Sequence, residues 1–316
     1  EISLGLVGSE MCIRDSCHPD HREGGLIEMG FNFANPRIPL GSWIETFFDW
    51  FQHAFDWLIT FTNVVIGGMY DGLNLVLSKP LYLVMMVILA AIGWACANWK
   101  VGLFALIGFY LVRAMDQWNN TMHTLSLVVV AVILALILAI PLGIWAAKSK
   151  RFSAIIKPIL DFMQTMPSLA YLVPVIVLFG IGQVPGAIAT IIFALPPGVR
   201  FTELGIRGVD TETVEAGAAF GASPHHILWR IQMPLAMPTV MAGVNQVIML
   251  ALSMVVLSGM VGAGGLGGDV VAALSQVDIG LGMEAGLAVV IVAVYLDRIT
   301  NGLANRTSLA RAQRAN

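Results

Sequence analysis

From residue 81 onward the chain is a succession of long apolar runs separated by short polar stretches. A hydrocarbon core of about 30 Å needs about 20 apolar residues in a helix. Residues 81–98, 101–115, 121–147, 156–181, 186–204, 238–261 and 283–303 read as such spans, with 101–115 the shortest. The pattern predicts an all-α membrane protein of about seven transmembrane helices. Upstream the rhythm changes. Phe47, Trp50 and Phe51, Ala54 and Phe55, and Leu58 recur at helical spacing, interleaved with Glu45, Asp49, Gln52, His53 and Asp56. Aromatic rings beside polar neighbours suit the headgroup layer. Residues 43–78 are therefore expected to form an amphipathic helix on the membrane, packed on the bundle, or both.

Composition supports the membrane reading. The 316 residues are 57% hydrophobic and 12% charged, about half the charge of a soluble domain. A net charge of −3 gives no sign of nucleic-acid binding. Cys12, Cys17 and Cys96 show neither metal-ligand spacing nor a disulfide framework and read as incidental thiols. Lys and Arg set the expected orientation. With the N-terminal side outside, Lys100, Lys148, Lys150, Arg151, Lys157, Arg200, Arg207, Arg230, Arg298, Arg306, Arg311 and Arg314 fall inside, and Arg37, Lys79 and Arg113 outside: twelve against three. That bias predicts N-terminus out, C-terminus cytoplasmic, and an odd number of spans.

Residues 1–28 match nothing downstream. Residues 6–15 read LVGSEMCIRD, a string that the codons of a sequencing-library adapter encode. The segment is expected to be foreign to the fold, with Met29 as a start or the true N-terminus missing. A signal peptide is the rival reading, but no apolar stretch of sufficient length lies between residues 1 and 40. The remaining organisation is expected as an interfacial region at 29–80, two accessory helices at 81–120, a transmembrane core at 121–303 and a basic cytoplasmic tail at 304–316.

The largest polar segment between spans is 207–233, on the expected cytoplasmic face. With the following residue it reads RGVDTETVEAGAAFGASPHHILWRIQMP. Asp210 or Thr211 can cap a first short helix, and Gly221 can end it. Ser223 caps a second helix that has Pro224 at its first position. Pro234 and Pro238 mark re-entry into the membrane. The run Glu215-Ala216-Gly217-Ala218-Ala219 presents little side-chain bulk, so such a helix can sit deep in a groove of a partner. The same residues also fit a plain connecting loop.

A resemblance bears on that choice. The segment resembles the EAA loop of binding-protein-dependent ABC importers, E-A-A-x3-G-x9-I-x-L-P, with Glu215, Ala216, Gly217, Gly221, Ile231, Met233 and Pro234 at its positions. Gly217 and Met233 depart from the pattern but stay small or apolar. Further stretches, IPLGIW at 140–145, DFMQTMP at 161–167, YLVP at 171–174, LFGIG at 178–182, TIIFALPP at 190–197 and FGASP at 220–224, are similar to the ProW-like permeases for glycine betaine and proline betaine. The resemblance implies a MetI-like fold in the bacterial cytoplasmic membrane. It also implies that Glu215, Ala216, Gly217, Ala218, Gly221, Ile231 and Pro234 form a coupling element seated on an ATP-binding cassette subunit. The implied partners are that ATPase, a periplasmic or lipid-anchored substrate-binding protein, a second copy of the chain, and membrane lipid. No GxxxxGK[ST] is present, so ATP and Mg are expected in the separate ATPase chain, with no cofactor, metal or catalytic residue here.

Gln164, Thr165, Tyr171 and Asn245 are polar at membrane depth, where polar groups mark a solute path or helix–helix hydrogen bonds. Pro167, Pro174, Pro196 and Pro197 free backbone carbonyls, which are tolerated where they line a cavity. Asp161, Glu203, Glu284 and Asp297 are expected at span ends, within reach of headgroups. Trp94, Trp99, Trp118 and Trp145 read as an aromatic belt rather than a cation–π cage, so solute selection is expected in the external binding protein. The glycines of 262–268 (GAGGLGG) suit a tight re-entrant turn or a gate outside. A same-fold permease for choline, carnitine or an amino acid is an alternative. So is an ion-coupled carrier acting alone, although the intramembrane charge pairs and inverted repeats expected of one are missing.

Overall fold

The computed structural model describes residues 40–306. The expectations for residues 1–28, Cys12, Cys17, Arg37 and most of the tail lie outside the described residues. Contacts divide the chain into Glu1–Ile44 and Glu45–Asn316, and of the first unit only the opening of one helix is described. The described residues are helices joined by short connections, with no strand among them.

In chain order the helices are α1 Leu40–Ala54, α2 Asp56–Ser78, α3 Tyr82–Cys96, α4 Trp99–Ala114, α5 Trp118–Lys148, α6 Lys150–Thr165, α7 Leu172–Phe179 and α8 Gln183–Arg207. They continue with α9 Thr211–Ala219, α10 Pro224–Ile227, α11 Met233–Ser258, α12 Gly265–Gln276 and α13 Ile279–Arg306. A 3-10 turn, Ser168–Tyr171, precedes α7, and a π turn, Leu228–Gln232, joins α10 to α11.

Among these, Trp118–Lys148, Gln183–Arg207, Pro224–Val261 and Ile279–Ala304 are long and apolar enough to cross a membrane. The number is four, or six if α2 with α3 and α6 with α7 each make one broken span. Seven straight spans are not what the structure presents, for two reasons. Helices α3 and α4 have 15 and 16 residues, or about 22–24 Å at 1.5 Å per residue, so each falls short of the hydrocarbon thickness. Residues 156–181 bend by 111° because Met166 is extended, ψ 136°, ahead of Pro167, whose ring disfavours a helical predecessor. The other prolines behave differently. Pro196 and Pro197 are buried inside a continuous α8, and Pro174 sits in the first turn of α7.

The N-terminal region resolves into two helices. Phe47 and Phe51 of α1 and Phe55, at the α1–α2 junction, follow one another along one side, the last two stacked at 4.7 Å, and Trp50 is exposed. Helix α2 instead buries Ile59, Ile66 and Tyr70 and packs on α5 and α8.

The core is built on α5, α8 and α11. Without a hydrophobic force between helices in lipid, small residues that allow close approach hold such bundles together. A Cβ at Gly143 would lie 2.5 Å from Cβ of Thr202, and one at Gly243 would lie 2.5 Å from Cβ of Phe201. Trp118 belongs to this interior rather than to a belt: it is buried and meets Phe109 edge-on at 6.3 Å. Trp94, Trp99 and Trp145 are exposed.

The bundle has two distinct ends. At one, the start of α8 meets the end of α11, with Gly186 against Ser258 and Ala263. The glycine run after α11 begins α12, a helix the periodicity gave no hint of. Its Leu266 N–H donates to Thr124 Oγ1 of α5 at 2.8 Å, and a Cβ on Gly259 would fall 2.1 Å from the Gly267 carbonyl carbon. At the other end lie the C-termini of α5 and α8 and the start of α11. The α3–α4 turn is there too, packed on α13 where Gly302 meets Ala97. The far end of α4 confirms this polarity, because Val112 packs with Leu266 and Ala288 at the α12 end.

Candidate functional site

The hairpin 207–233 projects from the second end. Helix α9 starts at Asp210, whose carboxylate accepts from the Glu212 N–H at 3.2 Å. It ends with Gly221 in the left-handed region, φ +79°. The Gly221 N–H donates to the Ala218 carbonyl at 2.9 Å, and the Ala222 N–H to the Gly217 carbonyl at 3.1 Å. This crossed pair satisfies carbonyls that a helix end otherwise leaves open. Ser223 then caps α10, its Oγ accepting from the His226 N–H at 3.4 Å. The π turn that follows, Leu228–Gln232, leads into α11, whose second residue, Pro234, has no N–H to give the preceding turn. Widened turns of this kind occur frequently at functional sites.

No residue of α9 is buried. Glu215, Ala216 and Ala218 are exposed, as is Gly221, and Phe220 is almost fully so at 93%. The hairpin closes on itself through Gly217, where a Cβ would meet Ile231 Cδ1 at 2.5 Å. Pro234 and Ile231 are half-buried at the root. The substitution Gly217→Ala, which supplies the more common residue of the EAA pattern, meets only the mobile tip of Ile231. Its expected effect is small, with transport within about twofold of wild type and stability within about 1 kcal/mol, measured as initial uptake rate and thermal midpoint.

Immediately behind the hairpin sits an ion cluster built on one buried carboxylate. Glu203 is 4% exposed. One carboxylate oxygen accepts from Ser153 Oγ at 2.7 Å and forms ion pairs with Arg207 Nε at 3.0 Å and Lys157 Nζ at 3.4 Å. Arg207 also donates to the Ala146 carbonyl at 2.7 Å, one of the last carbonyls of α5. Four side chains thus tie α5, α6 and α8 together one turn before α9 begins. Glu203 was expected at a span end within reach of headgroups, and the structure instead encloses it. The spacings 153/157 and 203/207 are the i, i+4 signals that point to such a cluster. Asp161, by contrast, is exposed and pairs with Arg200.

The four polar residues expected on a solute path are not gathered in one place. Gln164 and Thr165 are exposed on the last turn of α6, where Thr165 Oγ1 donates to the Phe162 carbonyl at 2.9 Å. Tyr171 is buried, packs with Met254 and Val261, and its hydroxyl donates to the Met163 carbonyl. Asn245 lies nine residues before Met254 on α11, about 13 Å along the axis. Its Oδ1 is buried without a hydrogen-bond partner. Among the described residues no group of His, Cys, Asp and Glu could hold a metal ion.

Residues 139–307 match the family described as binding-protein-dependent transport system inner membrane component. The chain is 44% identical over 272 residues to the glycine betaine transport system permease protein OpuAB of Bacillus subtilis, covering 85% of this chain and 95% of that protein. It is 42% identical over 288 residues to the glycine betaine/proline betaine transport system permease protein ProW of Escherichia coli, covering 90% and 81%. An inward-facing MetNI methionine ABC transporter chain superposes with a TM-score of 0.55 at 19% identity, over 59% of this chain and 93% of that one. At that identity the likeness concerns the fold.

Proposed function

The chain belongs to the family of binding-protein-dependent transport inner membrane components and is a permease subunit of an ABC importer; we propose that it passes glycine betaine, proline betaine or a similar compatible solute. The observation that carries the solute class is the similarity over most of the chain to two permeases named for glycine betaine.

In this reading the chain works as a gated path without chemistry of its own. ATP and Mg belong to the ATPase partner, and an external binding protein selects the solute. Two copies of the chain sit side by side in the bacterial cytoplasmic membrane, N-terminus outside and C-terminus in the cytoplasm. The basic residues at the hairpin end, including Lys100, Lys148 and Arg230, support that orientation. Residues 207–233 then face the cytoplasm, where Glu215, Ala216, Gly217, Ala218 and Gly221 seat against the ATPase and Ile231 and Pro234 carry its motion into α11. The exposed, small-residue surface of α9 supports this assignment. Asn245, with its unpartnered buried oxygen, is the strongest candidate among Gln164, Thr165, Tyr171 and Asn245 for contact with solute.

The test is reconstitution of the chain with a candidate ATPase and binding protein. Uptake of labelled glycine betaine that requires ATP and is competed by proline betaine, but not by choline, carnitine or methionine, is the expected outcome. Uptake driven by an ion gradient with no ATPase present would refute the assignment.

A further inference from the structure

A cavity of about 460 Å³ opens at the hairpin end of the bundle, between the α3–α4 turn, the first turn of α4 and the last turns of α13. It shares no residue with the coupling hairpin or the Glu203 cluster. Its size falls within the range of small-molecule pockets, about 300–1,000 Å³, and is several times that of a bare phosphate. Phe104 and Val294 supply an apolar wall, and Lys100, Arg298, Asn98 and Asn301 supply the polar side.

The charge balance of the cavity is one-sided. Among the described residues neither Lys100 nor Arg298 has an ion-pair partner; the ion pairs there use Arg113, Lys157, Arg200 and Arg207. The nearest carboxylate in sequence, Asp297, accepts from Asn301 Nδ2 at 2.8 Å and does not line the cavity. Basic residues that merely follow the orientation bias need only solvent around them. Here two of them share a concave site with two amides and an apolar wall, which is the arrangement that holds an anion with a hydrocarbon attached. Trp94 and Trp99, 65% and 61% exposed, flank the same turn as interfacial tryptophans do, so the mouth lies at headgroup depth.

We propose that this cavity binds the phosphate group of an anionic phospholipid, held by Lys100 and Arg298 with Asn98 and Asn301 as further donors. Basic pockets between transmembrane helices on the cytoplasmic side recognise such headgroups. The inference requires that the chain be embedded in a membrane and is independent of the solute transported.

The experiment uses the full chain in nanodiscs of phosphatidylglycerol or phosphatidylcholine, moved into detergent, with retained lipid counted by native mass spectrometry. The wild type is expected to retain phosphatidylglycerol and release phosphatidylcholine. Each cation contributes about fivefold in affinity, so Lys100→Gln and Arg298→Gln each weaken retention about fivefold and together about 25-fold. Arg113→Gln, at the opposite end, leaves retention unchanged. If Arg298→Gln fails to fold, Lys100→Gln at its exposed position carries the comparison alone. Equal retention by wild type and the Lys100 variant overturns the proposal. A parallel arm offers inorganic phosphate without anionic lipid. Phosphate binding that depends on Lys100, with no phosphatidylglycerol retained, overturns the lipid source and assigns the site to a soluble phosphate.

Discussion

Gly221→Asp is expected to abolish solute uptake while leaving the protein folded and inserted. Gly221 adopts φ +79° at the end of α9, and nothing lies within 4 Å of where its Cβ would be. The substitution therefore meets no part of its own chain. Its intrinsic cost is that of a side chain in the left-handed region, about 1–2 kcal/mol at most and less for Asp, which tolerates it. That is too little to unfold the bundle. The same openness makes Gly221 part of what a partner would touch, next to the 93%-exposed Phe220. If the ATPase docks here as proposed, a carboxylate adds bulk and an unpaired charge to a surface that would be desolvated, which costs several kcal/mol in a tight interface. Membrane fractionation should match wild type, the thermal midpoint should fall by no more than about 5 °C, ATPase co-purification should fall at least tenfold, and uptake should be lost. Normal uptake by this variant would remove the coupling role from residues 207–233.

Replacing Glu203 with Gln should produce the second large effect, and in a different register. The change keeps the shape and removes the charge that Arg207 and Lys157 share. Both cations are partly exposed, at 36% and 53% of their side chains, so water compensates part of the loss. The expected destabilisation is about 2 kcal/mol, below the 3–5 kcal/mol of a fully buried pair. Since Arg207 also holds the Ala146 carbonyl, loosening it frees the end of α5 from α8 just before α9. The variant is expected to bind the ATPase yet hydrolyse ATP with reduced uptake per turnover. Asp161→Asn breaks the exposed pair with Arg200 and should cost under about 1 kcal/mol with coupling intact. Equal effects of the two substitutions would show that burial of Glu203 contributes nothing special.

The two results differ because the residues do different jobs. Gly221 is exposed surface, whereas Glu203 is buried and links α6 to α8 directly and to α5 through Arg207. Sequence reasoning found the turn at Gly221 and missed the enclosure of Glu203. Asp210, Gly221, Ser223 and Pro224 announce the hairpin because capping and left-handed turns are local, and each capping atom lies within a few residues of its partner. The Glu203 cluster spans 50 residues between Ser153 and its carboxylate. Arg207, four residues on, is a local signal of an ion pair, but nothing near Glu203 in the chain tells that α6 comes to lie over it.

The apolar runs by themselves determined that this is a helical membrane protein, because lipid leaves a backbone no alternative to helix when each span must satisfy its own hydrogen bonds. Glycine, proline and capping residues likewise determined where the polar hairpin turns. Tertiary structure alone decided which runs cross and which fold back. The broken α6–α7 segment, the short α3–α4 pair and the unforeseen α12 depend on angles and on close approaches such as Gly259 to Gly267. It also decided that Trp118 and Glu203 are interior. Hydropathy is a property of each segment, whereas burial and crossing depend on which surface of another segment comes to lie against it.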